Sequence, residues 1–434
     1  MLETVPLNAV DEVFTNWSAK LGDGTLCASV LFFEGPVPSL PELRTHLRDR
    51  LPYLPGLTWH SSGRRGEETW QPDPCFRLDD HIAAYEMPHH RLTPDAVAEA
   101  LRRHPMPADA APWRLCLVRD PACEYGPFAI GVTMDHRAYD GAWAGLAVSV
   151  LLGDKPPDRA VTVDSAVPDR LGFRQTLHDL GAAVRNLAIG ARWGAHLNTR
   201  SRAVASAEIP LSLLRAVRAS SGATINQIHV AAVAGAVRAR GTRPPCNGRR
   251  PIYAAVPLST RAHEAGGFTP GNQIAVQRVA LPWAEPDPLR RLRLVQKSSN
   301  PRDTEAIRQL SRHVTTTAPH WITRAVVRGL THPWFTPVVV NNVRLEGDHS
   351  WDGIRVTTAG FLPPHIPGHV LTALLASYGD RARITFSVAA SVPEPQRLPY
   401  LWVKEIRALS AATAAADSAP SGVNVVSLPA SGRT

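Results

Sequence analysis

The sequence predicts a mixed α/β protein built as two lobes. Apolar runs of strand composition alternate with segments of helical period along the chain. This alternation occurs twice, in halves of similar length. Between the halves, residues 152–170 are rich in Gly, Asp, Pro and Val with no regular period, which reads as a linker. The chain's 434 residues are enough for two sizeable cores. The expected division is a first lobe over 1–154, a linker with a bridging helix over 155–200, a second lobe over 201–410 and a disordered tail over 411–434.

The elements follow in order. Thr25 to Phe33 is an apolar strand closed by Gly35-Pro36. Ser39-Leu40-Pro41-Glu42 opens a helix with a capping-box pattern and Pro in the first turn, running to about Leu51. Thr93-Pro94-Asp95 opens another in the same style. Leu115 to Val118 and Phe128 to Thr133 form a strand pair, and a helix begins at Ala142. Leu171 to Trp193 has apolar residues at helical spacing, with Arg174, Arg185 and Arg192 on the polar side. It reads as a bridging helix on the core or, alternatively, a helix lying on a membrane surface. The second half restarts with a strand from Arg202 to Ile209, then helices over Leu211 to Ala219 and Ala223 to Arg238. Ile252 to Val256 is a buried strand, Gln273 to Leu281 alternates like a strand, and Asp287 caps a basic helix. Val338 to Val343 reads as fully buried. Ile354 to Ala359 and Ile384 to Ala390 are expected to complete that sheet, and Leu398 to Leu409 is the last helix.

Composition narrows the function. Hydrophobic residues make up 44% and charged residues 20%, and no apolar stretch reaches transmembrane length. The N-terminus lacks a basic n-region and an apolar h-region. Five cysteines without paired spacing suit free thiols in a reducing compartment, so the expected location is cytoplasmic. The net charge of +9 reads as an arginine-rich solvated surface, or as attraction for acidic partners: CoA phosphates, an acidic carrier protein or anionic lipid. No basic stripe interleaved with aromatics and no recognition helix occurs, which argues against nucleic acid. No CxxC is present, and His89-His90 has no partner ligands at metal spacing, so no metal site is expected.

The segment that points to chemistry is Met134-Asp135-His136-Arg137-Ala138-Tyr139-Asp140-Gly141. His136 sits where a buried strand gives way to a loop, a place where a core strand anchors an imidazole and leaves one nitrogen free. Imidazole is the side chain best suited to accept a proton from a hydroxyl, amine or thiol near neutral pH. Asp140 can fix the loop, and Gly141 removes bulk beside a passing substrate. Ser259 has no G-x-S-x-G around it, so a serine nucleophile is rejected.

This segment resembles the HHxxxDG motif of the acyltransferases that include chloramphenicol acetyltransferase, condensation domains of peptide synthetases, and the bacterial wax ester synthase/diacylglycerol acyltransferase family. The last is the nearest in pattern. Pro6-Leu7-Asn8-Ala9-Val10-Asp11 resembles its PLSPLD, and Phe76 to His81 its FDLDxH. Ala111-Pro112-Trp113 stands at its PLW, Thr224-Ile225-Asn226-Gln227 at its TvND, and Val256 to Arg261 at its vPvSxR. Gly271-Asn272 matches its GN, Asn342-Val343 starts its NVPG, and Ser377-Tyr378 is its late SY. Three departures stand out: Asp135 replaces the first His, Gln227 replaces the Asp of Asn-Asp, and Arg-Leu-Glu-Gly follows Asn342-Val343.

The resemblance implies two chloramphenicol-acetyltransferase-like lobes in a pseudo-dimer, with a tunnel between them and His136 in its middle as general base. It implies direct transfer of an acyl group from a thioester to an acceptor hydroxyl or amine, with ester formation favoured. No tightly bound cofactor is implied; acyl-CoA or an acyl-carrier-protein thioester is the co-substrate, and a lipid or small molecule the acceptor. Asp140 is assigned to loop architecture, its carboxylate turned back toward an arginine. Asn272 or a loop N–H is a candidate oxyanion donor. Asp135 either raises the imidazole pKa, binds a cationic acceptor, or is a solvent-side substitution. Asp348 to Gly353 looks like a shortened copy of the motif and reads as a turn. His81 reads as structural, Trp113 as core or tunnel wall, and Cys116 as core. Two other functions stay open: a condensation-type enzyme served by a carrier protein, and a non-catalytic binding protein of the same fold. Peripheral membrane contact is left open.

Overall fold

The computed structural model describes residues 4–163 and 202–418 except 22–24, 65, 105, 108–109, 242–250, 262–266, 269, 365 and 367; in the intervening stretch it describes Asn186 and Trp193 alone. The bridging helix expected over Leu171 to Trp193 therefore lies outside the described residues but for those two.

The first half supplies α1 (Ala9–Leu21), β1 (Leu26–Pro36), α2 (Leu40–Arg50), β2 (Ile82–Glu86), α3 (Pro94–Arg103), β3 (Trp113–Arg119), β4 (Tyr125–Asp135) and α4 (Gly141–Leu152). The capping box read at Ser39 is formed: Glu42 N donates to Ser39 Oγ and Ser39 N to the Glu42 carboxylate. The second half supplies β5 (Arg202–Pro210), α5 (Leu211–Ser221), α6 (Ile225–Ala239), β6 (Ile252–Ser259), β7 (Ile274–Leu281), α7 (Pro288–Ser298), α8 (Pro301–Thr317), α9 (His320–Leu330), β8 (Val338–Arg344), β9 (Thr358–Leu362), β10 (Leu371–Tyr378), β11 (Arg381–Ala389) and α10 (Arg397–Ser418).

Two mixed sheets organise these elements. The six-stranded sheet has the order β7-β6-β8-β10-β11-β5, with β6, β8 and β10 parallel and the other pairs antiparallel. The five-stranded sheet has the order β9-β1-β4-β3-β2. Its edge strand β9 comes from the second half and pairs antiparallel with β1, Thr358 opposite Phe32. The expectation that Ile354 to Ala359 would complete the second-half sheet is thus corrected: the chain crosses over and closes the other lobe. Local pattern cannot show which free edge a strand will choose, because every edge offers the same unpaired backbone groups.

Side-chain alternation separates core from cavity. On β10, Leu371, Ala373 and Leu375 face the core under α5, α6, α7 and α10, whereas Thr372 and Leu374 face a cavity between the lobes. On β8, Val338 and Val340 enter the same core while Val339 and Asn341 line the cavity. Residues 341–344 of β8 are half-buried or exposed, so this strand is not fully buried as its composition suggested. The last helix continues to Ser418 and is not disordered from residue 411; its Ala-rich end is strongly helix-forming, and Thr413 is buried.

The crossover is tight. Gly360 of β9 lies under the first turn of α3, where a Cβ would stand 2.9 Å from Pro94 Cβ and 3.3 Å from its Cα. Gly360→Val is expected to destabilise the protein by about 1–3 kcal/mol through overpacking, measured by urea unfolding; a loss under ~0.5 kcal/mol would show that β9 is loosely seated.

Candidate active site

His136 is the first residue after β4. Its N–H donates to Thr25 O at 3.1 Å, extending the β1–β4 ladder by one step. The ring stacks on Phe14 of α1, centroids 4.3 Å apart and planes 8° from parallel. Nδ1 lies 2.9 Å from Oδ1 of Asn272, in the turn before β7. The Asn272 amide is oriented by its surroundings: Nδ2 donates to Asp11 Oδ1 (2.9 Å), His136 O (2.8 Å) and Arg137 O (3.1 Å). Its oxygen must then face the imidazole and accept from Nδ1–H, which leaves the lone pair on Nε2. Nε2 makes no hydrogen bond among the described residues, and His136 lines the inter-lobe cavity. Burial lowers the imidazole pKa, against the raising influence, in order, of the residue's own main-chain carbonyl, the Asp140 charge, the Asn272 hydrogen bond and the Asp135 charge. The ring is therefore neutral at pH 7 and able to accept a proton.

Asp140 does not reach the imidazole by hydrogen bond among the described residues. Its Oδ1 accepts from Trp143 N at 2.9 Å as the N-cap of α4, and its Oδ2 from Gln273 N at 2.9 Å. The arginine that the sequence left unnamed is Arg261, at the end of the segment after β6; its Nη2 is 2.8 Å and its Nε 2.9 Å from Asp140 Oδ2. The same guanidinium donates to Gly271 O at 2.8 Å. Burial opposes ionisation of Asp140, but the Arg261 charge and the N–H donors outweigh it and hold the carboxyl below the usual range.

The cavity holds about 790 Å³ and is lined from both lobes. The first lobe contributes Phe14, Cys27 and the small-residue face of α4 (Gly141, Ala142, Ala144, Gly145); the second contributes β6, β7, β8, β10, α8 and α9. Gly141 and Gly145 leave space between α4 and β8: a Cβ would stand 3.5 Å from Val343 Cγ1 at Gly141 and 3.9 Å from Arg344 O at Gly145. The cavity includes exposed residues in two places, Leu146, Arg344 and Glu346 beside α4, and Val326 on α9. Cys27 is not a nucleophile there. Burial, reinforced by the Asp135 charge, pushes its thiol up to about 12, and it donates to Met134 O at 3.4 Å.

The remaining sequence candidates fall as follows. Asp135 is buried, accepts from Thr25 Oγ1 (2.9 Å) and Arg137 N (2.9 Å), and pairs with Arg137 Nε at 2.7 Å. It does not line the cavity, so it is neither a solvent-side substitution nor a docking point for a cationic acceptor. Asn272 keeps its amide donors on Asp11 and two carbonyls, so it braces the His136 ring and is not aimed at an oxyanion. Gln227 completes a capping box with Thr224 and donates to Ser299 O at 2.9 Å. His81 is buried between Phe76 and Trp113, with Nδ1 2.8 Å from Trp113 O. Trp113 is core, its Nε1 donating to Leu57 O. His89 and His90 lie exposed on a 3-10 turn. Asp352 and Gly353 form a left-handed turn, yet His349 beside them is buried.

Asp11 and Phe14 were not singled out as site residues by sequence reasoning. The signal for Asp11 was its place at the end of Pro6 to Asp11, and for Asn272 the Gly-Asn pair; nothing in one sequence says that these two motif ends meet.

Arg261→Ala is expected to cost about 3–5 kcal/mol, since it leaves the buried Asp140 charge without its cation, and Asp140→Ala to cost less, since Arg261 is half-buried and keeps Gly271 O. The double variant should lose clearly less than the sum. Chemical denaturation checks this, and additive losses would show that the pair is not coupled.

Residues 270–410 match the WS/DGAT C-terminal domain family. Two Mycobacterium tuberculosis proteins (strains CDC 1551 and H37Rv) that bear the provisional name diacylglycerol O-acyltransferase are 29% identical over 303 residues, covering 58% of this chain. The match spans 60% of the length of those relatives. The fold is similar to that of a wax ester synthase/diacylglycerol acyltransferase from Marinobacter aquaeolei VT8 (TM-score 0.60, 18% identity, 94% of this chain and 100% of that one). It is also similar to the starter condensation domain of rhizomide synthetase, solved with C8-CoA (TM-score 0.64, 15% identity, 95% of each chain). Residues 270–410 thus match the WS/DGAT C-terminal domain family, and over 94–95% of its length the chain has a two-lobed fold similar to those of the Marinobacter wax ester synthase/diacylglycerol acyltransferase and the rhizomide synthetase condensation domain.

Proposed function

We propose that this protein is an acyltransferase that moves an acyl group from acyl-CoA to an acceptor hydroxyl, with His136 as general base. The observation that carries the reading is the imidazole geometry: Nδ1–H is held by Asn272, Nε2 makes no hydrogen bond among the described residues, and His136 lines a large, mostly apolar cavity between the lobes. The acceptor hydroxyl gives its proton to Nε2 as its oxygen attacks the thioester carbon. The carbon–sulfur bond then breaks and Nε2 returns the proton to the departing thiolate, giving an ester and free CoA. A thioester is already activated, so no enzyme-bound acyl group is required. The rate gain comes from holding two substrates in line beside one base.

The apolar lining supports an acyl chain and a lipid or other apolar acceptor. The rhizomide synthetase domain of the same fold was solved with C8-CoA, which supports CoA as donor; a carrier-protein thioester is the second reading, favoured by the condensation-domain likeness. No helix among the described residues is long and apolar enough to cross a membrane. Helix α9 exposes Trp321 and Arg328, and Trp334 and Phe335 follow it, while Arg324 is paired with Glu12 of α1. Aromatic and cationic side chains together suit peripheral contact with an anionic lipid surface.

Thiol release with acyl-CoA and a long-chain alcohol should require His136. His136→Ala is expected to lower turnover by about 10²–10⁴-fold, and unchanged release would remove the assignment. Transfer from carrier-protein thioesters without any from acyl-CoA would select the second reading. Because burial lowers the imidazole pKa, the base is lost only as pH falls below the ordinary imidazole range: kcat/KM should stay level from pH 8 to about 6.5 and drop below it. An acid limb centred above pH 7 would contradict the neutral ring.

Gly145→Leu places a side chain in the gap between α4 and β8. Helix propensity favours it by about 0.5–1 kcal/mol, while a filled channel is expected to reduce kcat/KM about 10²-fold. A raised melting temperature with undiminished activity would show that substrates do not pass this point.

A further inference from the structure

We infer that Asp11 is a positioning residue for His136, acting through Asn272. The inference rests on the reading of His136 as the base. Asp11 lies in the first turn of α1 and is fully buried. The local explanation for an acidic residue there is helix capping, and Asn8 N does donate to Asp11 Oδ2 at 3.2 Å. A cap needs only one such bond. Asp11 instead collects four N–H donors, three of them from remote parts of the chain: Trp70 Nε1 on Oδ2 (3.0 Å), and the Asn272 main-chain N (2.7 Å) and Nδ2 (2.9 Å), both on Oδ1. Only an ionised carboxylate accepts from both oxygens in this way.

The two bonds to Asn272 fix both its backbone and its amide, so the distance from Asn272 Oδ1 to His136 Nδ1 is set from the far side by Asp11. Asn8 adds a third tie, its Nδ2 donating to Asn272 O at 2.9 Å. The turn is shaped for the carboxylate. Gly271 has φ +80°, and a Cβ there would stand 2.2 Å from Asp11 Oδ2. The Gly-Asn pair thus has a physical reason: glycine leaves the space that the carboxylate fills, and asparagine passes its hold on to the imidazole. The amide also suits a base better than a second carboxylate would, because it accepts from Nδ1–H without a full charge that would raise the ring's pKa.

The test compares Asp11→Ala, Asn272→Ala and the double variant in the full chain, at a temperature where melting curves show all of them folded. Each single variant is expected to lower kcat about 10²-fold with a smaller change in KM, and the double variant should lose no more than Asn272→Ala alone. Nitrogen-15 imidazole spectra, with His136 assigned by its absence in His136→Ala, should show Nε2 unprotonated in the parent and a mixture of tautomers in both single variants. If Asp11→Ala does not fold, Asp11→Asn replaces it: an isosteric amide accepts from one side only, and the same loss is expected. The inference is overturned if the Asp11 variant melts lower yet keeps its kcat and its ring-nitrogen signals, or if the losses multiply in the double variant. Should the parent protein transfer no acyl group at all, the spectra still decide the Asp11 inference while the proposed function fails.

Discussion

The site depends on how one turn of the second lobe, Gly271-Asn272-Gln273, is held against the loop that follows β4 in the first. Two buried carboxylates of the first lobe hold it. Asp11 takes the Asn272 amide and backbone, and Asp140 takes Gln273 N and Arg261, which itself grips Gly271 O. The side-chain hydrogen bond on the His136 ring comes from this seam, while Phe14 stacks on the ring and Thr25 O takes the main-chain N–H. Burying charge is costly unless it is satisfied, so a seam built from two carboxylates has few alternative packings. A lobe that shifted by one hydrogen bond would strand an anion among apolar neighbours.

The two carboxylates differ in a way that fits their places. Asp140 faces a guanidinium and is held below the usual carboxylate range. Asp11 has N–H donors and no cation, and burial pushes it up to about 6 despite them. Asp140 is therefore charged at neutral pH. Its folded pKa is depressed, so the stability it contributes is present above the unfolded value near 3.8 and is lost only as pH falls through the folded value. Asp11 has a raised folded pKa, so ionising it between about 4 and 6 costs stability rather than adding to it. A group kept ionised at such a cost at neutral pH is the kind found where function, not stability, sets the choice.

Much of this architecture is legible in the sequence. Strands β1, β3, β4 and β5, the capped helices α2, α3 and α7, and the histidine at the end of β4 all follow from short-range pattern: run length, capping chemistry, turn residues. What escaped depends on distance in the chain. The crossover of β9, the pairing of Asp140 with Arg261 and the bond between Asp11 and Asn272 join residues more than 120 positions apart. Helices α8 and α9 and strand β10 were also missed. The first two do carry local signals, Asn300-Pro301 and Pro319, but β10 is apolar on both faces and reads equally as buried helix.

The departure from HHxxxDG at Asp135 follows from the same geometry. The residue before His136 ends β4 and points away from the cavity, so its side chain meets Thr25 and Arg137, not substrate. At that position the chain needs a polar group that can brace the loop from behind. An aspartate does so by accepting from Thr25 Oγ1, Arg137 N and Arg137 Nε together. Its effect on the imidazole is the weakest of the raising influences there. The motif's first position is thus structural in this chain, and of the two it is the second, His136, that lines the cavity.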